Sequence, residues 1–141
     1  MIYNLSKKNI IASKPVYARG FFLRGRGMIG RNFSIFDGMV FEHCNSIHTL
    51  FMSINIDVLF IDGKFKVCAS KKDVKPWIPL IRYADACTVI ELPVGTIART
   101  KTEPGDYLNM SAELTEKELK SIEASIIRPS ETAISSFSEN E

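Results

Sequence analysis

The sequence predicts an α+β fold that is mostly β: a compact, antiparallel-rich, β-barrel-like domain with a short N-terminal helix and a C-terminal helical tail. Three observations support this prediction. Short apolar stretches alternate with turn residues through the first 110 residues. The most apolar stretch, residues 48–62, leads into Asp62-Gly63, a strong hairpin signal. Helix-start patterns occur near each end of the chain, and 141 residues suffice for one domain with a core.

The N-terminal segment predicts a strand followed by a helix. Residues 2–11 are assigned to the first strand. Ser13-Lys14-Pro15 then resembles a helix start, because a capping hydroxyl is followed by a proline suited to the first turn. Residues 16–24 are therefore predicted to form the short N-terminal helix, which would end at Gly25.

The glycines that follow have the spacing G-x-G-x-x-G, at Gly25, Gly27 and Gly30. A dinucleotide-binding loop with this spacing follows a buried strand and opens a helix. Here the glycines follow a predicted helix and lead into a strand. We therefore interpret them as a connecting loop, and no cofactor is predicted.

A histidine pair is the next candidate feature. Residues 38–43 predict a strand and residues 44–47 a turn. If Asn45 and Ser46 are the turn residues, His43 faces His48 across two strands with Cβ atoms roughly 5 Å apart. Two such imidazoles could form half of a metal site. No third ligand is evident, so the simpler interpretation is one hydrogen-bonded histidine and one exposed histidine.

The central hairpin is predicted from residues 54–61 and the Asp62-Gly63 turn. A two-residue type I′ turn would place Ile61 opposite Lys64 and Asp57 opposite Cys68. One face of this hairpin is apolar and predicted to be core, and it consists of Ile56, Val58, Phe60, Phe65, Val67 and Ala69.

Asp57 is the polar exception on the second, partly covered face of this hairpin. A buried carboxylate without a partner is costly. We therefore expect Asp57 to accept hydrogen bonds from backbone amides or an arginine and to lock a loop, in preference to a catalytic role.

The segment from Lys71 to Pro79 is predicted to be irregular, because Pro76 and Pro79 exclude a regular helix or strand across it. Trp77, the only tryptophan, is expected to lie over one end of the core. An aromatic ring with basic neighbours can bind single-stranded nucleic acid. A solvated loop with one anchoring aromatic is the simpler interpretation. The basic neighbours are Lys71, Lys72, Lys75 and Arg82.

The remaining chain predicts one more long strand and a helical tail. Residues 84–92 form the strand, with Glu91 near its end, and residues 96–100 form at most one helical turn. Thr115 and Glu118 make a capping box that starts a helix. The chain is thus divided into a domain at residues 1–110, a helix at residues 111–128 and a disordered acidic tail at residues 129–141.

Composition limits the class of protein. Residues 1–31 carry seven basic groups and no acid, whereas residues 111–141 carry seven acids and three bases. Such ends can attract each other or meet separate partners. Three widely spaced cysteines without a CxxC motif indicate a reducing compartment. No apolar run approaches the ~20 residues of a membrane helix, so we expect a cytoplasmic protein without a membrane span.

Several short motifs in order carry a family resemblance. They are Arg24, Gly27 and Arg31; Gly38-Met39-Val40-Phe41; Ile47-His48-Thr49 and Met52; Ile56-Asp57-Val58-Leu59-Phe60; Pro76-Trp77; Glu91-Leu92-Pro93-Val94-Gly95-Thr96; and Gly105-Asp106. Together, from about residue 12 to residue 108, they resemble the DUF192 family of small, uncharacterised bacterial and archaeal domains. The chain departs from the family pattern at Gly30, at residues 53–55 and after Met110. The resemblance implies a compact, mostly β domain with a short N-terminal helix, and it implies no established reaction.

The expected function is a non-enzymatic module that binds a small ligand or a protein partner. Its candidate site combines the polar members of the matched motifs with one aromatic wall, and it consists of Arg31, His48, Asp57, Trp77 and Glu91. One alternative is a hydrolase or metal-dependent enzyme with His48 as base and Asp57 or Glu91 as its partner. Nucleic-acid binding through the basic residues 1–31 is a second and weaker alternative.

Overall fold

The computed structural model describes residues 1–20 and 27–111. Its strands are β1 (Ile2–Asn4), β2 (Asn9–Ala12), β3 (Pro15–Tyr17), β4 (Gly38–Glu42), β5 (Ser46–Ile47), β6 (Ile56–Ile61), β7 (Val67–Val74), β8 (Ile81–Arg82), β9 (Thr88–Pro93) and β10 (Leu108–Asn109). One short helix, α1 (Thr96–Thr100), follows β9. The mostly β prediction is therefore confirmed. The predicted helix and acidic tail after residue 111 lie outside the described residues.

A five-stranded sheet in the order β3-β4-β9-β6-β7 forms the centre of the fold. Its first pair, β3 and β4, is parallel, and its other pairs are antiparallel. The strands β10-β1-β2 form a second sheet, and β5 pairs with β8 alone. The described strands thus form three separate sheets with no closed barrel among them, which corrects the barrel-like prediction. No helix of the described part of the chain is long and apolar enough to cross a membrane.

The strand β6 is buried along both faces because each face covers its own apolar cluster. Ile56, Val58 and Phe60 belong to one cluster, together with Met39 and Val89 among others. The second cluster receives the alternate side chains of β6 and β9 and includes Leu59, Ile61, Ile90, Leu92 and Ile97. Successive side chains of a strand point to opposite faces, so a continuous apolar run fits a strand covered on both sides.

The N-terminal segment differs from its prediction. Residues 2–12 form a hairpin of β1 and β2, with Lys8 at a φ of 56° in the turn between them. The predicted helix at residues 16–24 is wrong at its start, because Pro15–Tyr17 is strand β3. The Asp37 carboxylate accepts hydrogen bonds from the Ser13 and Lys14 backbone amides and the Ser13 hydroxyl. The hydroxyl that resembled a helix cap therefore donates to Asp37, which ties the start of β3 to the residue before β4.

The hairpin of β6 and β7 is confirmed, but its predicted register is wrong. Ile61 pairs with Val67 and Phe60 with Ala69, because the connection is longer than two residues. Asp62 Oδ1 accepts hydrogen bonds from the Lys64 and Lys66 amides, at 2.8 and 3.0 Å. Phe65, at a φ of 61°, takes the left-handed position that a three-residue loop requires. Phe65, which was predicted to be core, is consequently 55% exposed at the loop tip.

The predicted pairing of His43 with His48 is wrong. The strand β4 ends at Glu42 and pairs with β9, whereas Ser46–Ile47 pairs with β8. The chain leaves the central sheet at His43, whose φ is 53°. The two histidines therefore do not belong to neighbouring strands, and both are exposed.

Candidate functional site

Asp57 is a structural carboxylate. It is 1% exposed in β6, and its Oδ1 accepts a hydrogen bond of 2.9 Å from the Asp73 amide. Its Oδ2 accepts bonds from the amides of Gly95 and Ile97, at 3.1 and 2.9 Å. The N-cap residue of α1 is Gly95, which has no side chain to cap the helix. Asp57 therefore supplies the missing cap from a distant strand and locks the loop before α1, as the sequence predicted.

Glu91 is a buried carboxyl in an apolar setting. It is 3% exposed, and it lies in β9 between Met39 of β4 and Val58 of β6. Its Oε2 has no hydrogen-bond partner among the described residues. Burial raises the pKa of Glu91 from 4.5 to about 8, because the charged form loses its hydration. The folded protein therefore holds this side chain protonated near neutral pH.

The two carboxyl groups do not share a site. In the pairing of β6 with β9, Asp57 is opposite Leu92 and Val58 is opposite Glu91. Directly paired residues of two strands point to the same face. Asp57 therefore points to the cluster around Leu92, and Glu91 points to the cluster around Val58 on the other face of the sheet.

Arg31 and His48 form hydrogen bonds with residues other than Asp57. Arg31 is half-buried after the Gly27–Gly30 turn, and its backbone amide donates to the Met28 carbonyl at 3.1 Å. His48 is exposed, and its Nδ1 accepts a 3.2 Å hydrogen bond from the Leu50 amide. Within residues 1–20 and 27–111, neither side chain is hydrogen-bonded to Asp57 or Glu91.

Two loops are instead joined by Thr49, which is fully buried next to His48. The Thr49 amide donates to the Ile78 carbonyl at 2.8 Å, and the Trp77 amide donates to the Thr49 carbonyl at 2.8 Å. The Thr49 hydroxyl donates to the Lys75 carbonyl at 2.7 Å and accepts from the Ile78 amide at 2.9 Å. Four hydrogen bonds to one residue thus hold residues 48–52 against residues 75–78.

These joined loops present two large aromatic side chains to solvent. Phe51 is 64% exposed and Trp77 is 61% exposed, and their ring centroids lie 5.0 Å apart in an edge-to-face arrangement. Both residues have a positive φ, 62° for Phe51 and 68° for Trp77, which is costly for a bulky side chain. We refer to the exposed side chains of Phe51 and Trp77 as the Phe51–Trp77 surface.

Of the five predicted site residues, the structure brings only His48 and Trp77 onto joined loops. Sequence reasoning missed Phe51, because it lies in the apolar run that predicted core strands, and it missed the joining role of Thr49. The expectation that Trp77 lies over the core is wrong, since its side chain is mostly exposed. Leu50-Phe51-Met52 does not alternate between apolar and polar residues, and this pattern could have indicated that Phe51 is not in a half-buried strand.

The Phe51–Trp77 surface can make apolar contacts, and the two loops that carry it also carry polar side chains. Lys75, two residues before Trp77, is paired with Asp73 at 2.8 Å. His48 adds an imidazole on the other loop. No group of three or more His, Cys, Asp or Glu side chains within the described residues is arranged to hold a metal ion.

A separate groove of about 730 Å³ lies between the central sheet and the end of the described chain. Apolar and polar side chains mix in its wall, which is lined by Leu5, Tyr17, Arg19, Glu42, Phe65, Thr88, Leu108, Asn109, Met110 and Ser111. None of the five predicted site residues lines it.

Comparison with proteins of known sequence places this chain among uncharacterised relatives. A UPF0127 protein of Thermococcus sibiricus is 31% identical over 118 residues, which cover 80% of this chain and 76% of that protein. A UPF0127 protein of Thermococcus gammatolerans is 36% identical over 84 residues, which cover 60% of this chain and 53% of that protein.

Two crystal structures share the fold. A protein of unknown function from Novosphingobium aromaticivorans matches with a TM-score of 0.59 and 21% identity, over 67% of this chain and 73% of that chain. A putative transcription regulator from Sinorhizobium meliloti matches with a TM-score of 0.60 and 22% identity, over 67% of this chain and 79% of that chain. The DUF192 family model, described as uncharacterized ACR, matches residues 5–110. Since that match spans most of the chain, this protein belongs to the DUF192 family.

Proposed function

We propose that this protein is a non-enzymatic binding module that recognises a protein partner through the Phe51–Trp77 surface. The observation that carries the proposal is the exposure of two large aromatic side chains on strained, tightly joined loops. Exposed aromatic side chains are a typical anchor of protein interfaces, where tryptophan is over-represented among the residues that dominate affinity.

Preorganisation supports the same proposal. Thr49 fixes the backbone on both sides of the surface with four hydrogen bonds. Binding of a partner to Phe51 and Trp77 therefore costs little conformational entropy in these loops, which favours affinity. Strained backbone conformations persist where the surrounding structure enforces them, and they concentrate at functional sites.

A protein segment fits this surface better than single-stranded nucleic acid. Bases stack in succession on aromatic rings that line a basic groove. Here the two rings meet edge to face at 64°, and the nearest lysine in sequence, Lys75, is already paired with Asp73. An aliphatic or aromatic side chain of a protein can instead pack into the angle between the rings.

The hydrolase alternative lacks an assembled site among the described residues. It needs a carboxylate beside His48, but both oxygens of Asp57 are occupied by backbone amides. Glu91, the other candidate partner, is 3% exposed, and no hydrogen bond joins it to His48 within the described residues.

The test uses Trp77 as its own reporter, because it is the only tryptophan of the chain. Peptides are selected against the full chain from a random-peptide phage library, and their binding is measured by Trp77 fluorescence. We expect enriched peptides that contain an apolar anchor and that shift the Trp77 emission to shorter wavelength. Binding measured by calorimetry should fall at least about tenfold in Trp77→Ala or Phe51→Ala, as for an interface anchor.

The matched control is Tyr107→Ala, which removes another exposed aromatic side chain, 47% exposed, elsewhere on the surface. It should leave peptide affinity unchanged. If no selected peptide depends on Trp77 and Phe51, or if salt-sensitive binding of oligothymidylate alone shifts the fluorescence, the proposal is wrong.

A further inference from the structure

The outer edge of β7 pairs with no other strand of the described residues, and Trp77 follows the end of β7 by three positions. The strand β7 is the longest strand of the central sheet, with eight residues, and it lies at the end of the strand order. Its inner side pairs with β6. Among bonds to residues that the structure describes, only the first residue, Val67, is also bonded on the outer side. It donates to the Asp106 carbonyl and accepts from the Gly105 amide, each at 2.8 Å.

The geometry fixes which backbone groups of β7 point outward. Phe60 pairs with Ala69 and Val58 pairs with Lys71 on the inner side. Two hydrogen bonds at the end of β6 show which of its backbone groups point toward β7. The Asp62 amide donates to the Lys66 carbonyl on the β7 side, whereas the Ile61 carbonyl accepts from the Cys87 amide on the β9 side. Backbone groups of an antiparallel strand alternate between its two sides. The amide and carbonyl groups of Ser70 and Lys72 therefore point away from β6.

These outward groups carry no hydrogen bond to another described residue. An open edge of this kind is a template for an added strand. Trp77 follows the last residue of β7, Val74, by three positions, so their Cα atoms lie at most about 10 Å apart. A strand added along Ser70 and Lys72 would therefore end beside the Phe51–Trp77 surface.

Charge determines the kind of strand that this edge accepts. Lys71 and Lys72 are both exposed in the middle of β7. A second copy of this chain that paired edge to edge would bring lysines against lysines, which is the arrangement that edge lysines prevent. An extended segment with acidic side chains would pair with them instead.

We infer that the partner binds as an extended, acidic segment that adds a strand to the outer edge of β7 and packs an apolar side chain on the Phe51–Trp77 surface. This inference rests on the proposed function and adds the partner's conformation and charge. The backbone of Ser70 and Lys72 supplies the hydrogen bonds, Lys71 and Lys72 supply the charge selection, and Trp77 supplies the anchor site.

The test measures the edge and the anchor separately in the full chain. The probe is a synthetic peptide of alternating glutamate and valine that ends in leucine, and the matched control peptide has lysine in place of glutamate. Amide hydrogen exchange reports on the edge. We expect the glutamate peptide to slow exchange at Ser70 and Lys72 by at least about tenfold, because both amides gain partners. The inner amides of Ala69 and Lys71 should change little, and the lysine peptide should have no effect.

A second measurement does not depend on any substitution in the protein. The peptide is N-methylated at one residue at a time, which removes one backbone amide donor. Methylation should abolish binding at every second residue, where the amide would face β7, and should leave binding unchanged at the residues between. The variant Lys72→Glu should weaken binding of the glutamate peptide by about threefold to tenfold, as for a cross-strand charge reversal. Lys14→Glu, an exposed site just before β3 at the opposite edge of the central sheet, should not.

The outcomes separate the inference from the proposed function. If selected peptides need Trp77 but neither protect Ser70 and Lys72 nor show the alternating N-methyl pattern, the inference is wrong and the proposed function stands. If the glutamate peptide protects Ser70 and Lys72 without any effect on Trp77 fluorescence, the combined binding mode, and with it the inference, is wrong. The proposed function fails separately, if no selected peptide depends on Trp77 and Phe51.

Discussion

Asp57 and Glu91 lie on paired strands of one sheet and point to opposite faces of it. The environment of each carboxyl group differs accordingly. Asp57 accepts hydrogen bonds from three backbone amides, whereas Glu91 Oε2, in an apolar cluster, has no hydrogen bond to any residue that the structure describes. One group holds a loop and a helix start in place, and the other makes the stability of the fold depend on pH.

Asp57→Ala should strongly destabilise the protein. The substitution leaves the amides of Asp73, Gly95 and Ile97 without their acceptor in a buried setting, and we expect the free energy of unfolding to fall by about 3 kcal/mol or more. Urea unfolding followed by circular dichroism measures the change. Asp85→Ala, at an exposed aspartate, is the control and should stay within about 0.5 kcal/mol of the wild type. Equal stability of both variants would contradict the role assigned to Asp57.

Glu91 should make the protein less stable as the pH rises from about 4.5 to about 8. Its pKa is raised to about 8 in the folded protein, so the folded chain keeps a proton that the unfolded chain releases in this window. The stabilisation linked to this proton is therefore complete below pH 4.5 and is lost as the pH approaches 8. In this window the free energy of unfolding falls by up to about 1.4 kcal/mol per pH unit.

Glu91→Gln removes this proton linkage while keeping the size and polarity of the side chain. The variant should gain stability relative to the wild type as the pH is raised, and the gain should vanish near pH 4.5. Urea midpoints across the window give the comparison. A constant difference between the two proteins at every pH would show that Glu91 does not bind the proton in the folded state.

Thr49→Val should loosen the two joined loops. Valine keeps the shape of the side chain but leaves the Lys75 carbonyl and the Ile78 amide without the hydroxyl, at a cost of about 1–3 kcal/mol. Trp77 should also become more mobile, which fluorescence anisotropy detects directly. Thr88→Val, at a half-buried threonine of β9, is a suitable comparison. Unchanged anisotropy in Thr49→Val would mean that the backbone bonds alone hold the surface.

Phe65→Gly should raise the free energy of unfolding by up to about 1 kcal/mol. Phe65 has a φ of 61° and an exposed side chain, so glycine relieves backbone strain and sacrifices little packing. Lys64→Gly, one residue earlier and without a positive φ, should lower stability instead. Thermal unfolding of the two variants provides the test, and a loss of stability in both would show that Phe65 is not strained.

Some of the site was accessible from local sequence. A carboxylate inside an apolar strand must be paired, which predicted amide partners for Asp57 without naming Gly95 or Ile97. The strand that contains Glu91 was also predicted, and its alternation assigns Ile90 and Leu92 to one face. The burial of Glu91 was not evident, because it depends on how β4 and β6 flank β9.

Other features depended on partners distant in the chain. Ser13-Lys14-Pro15 satisfies a helix-start pattern, but Asp37 binds the same groups and leads the chain into a parallel strand. The Asp62-Gly63 turn predicted a hairpin, but the hydrogen bonds of Asp62 to Lys64 and Lys66 lengthened the loop and changed the register.

The sequence by itself determined the mostly β class, the membership of residues 56–60 in the core and the need for a partner at Asp57, because these follow from local hydrophobicity and the cost of a buried charge. Only the tertiary structure decided that Asp57 and Glu91 face away from each other and that Thr49 turns Phe51 and Trp77 outward. Strand order and long-range hydrogen bonds are set by the packing of the whole sheet, and no local pattern encodes which distant residue will supply them.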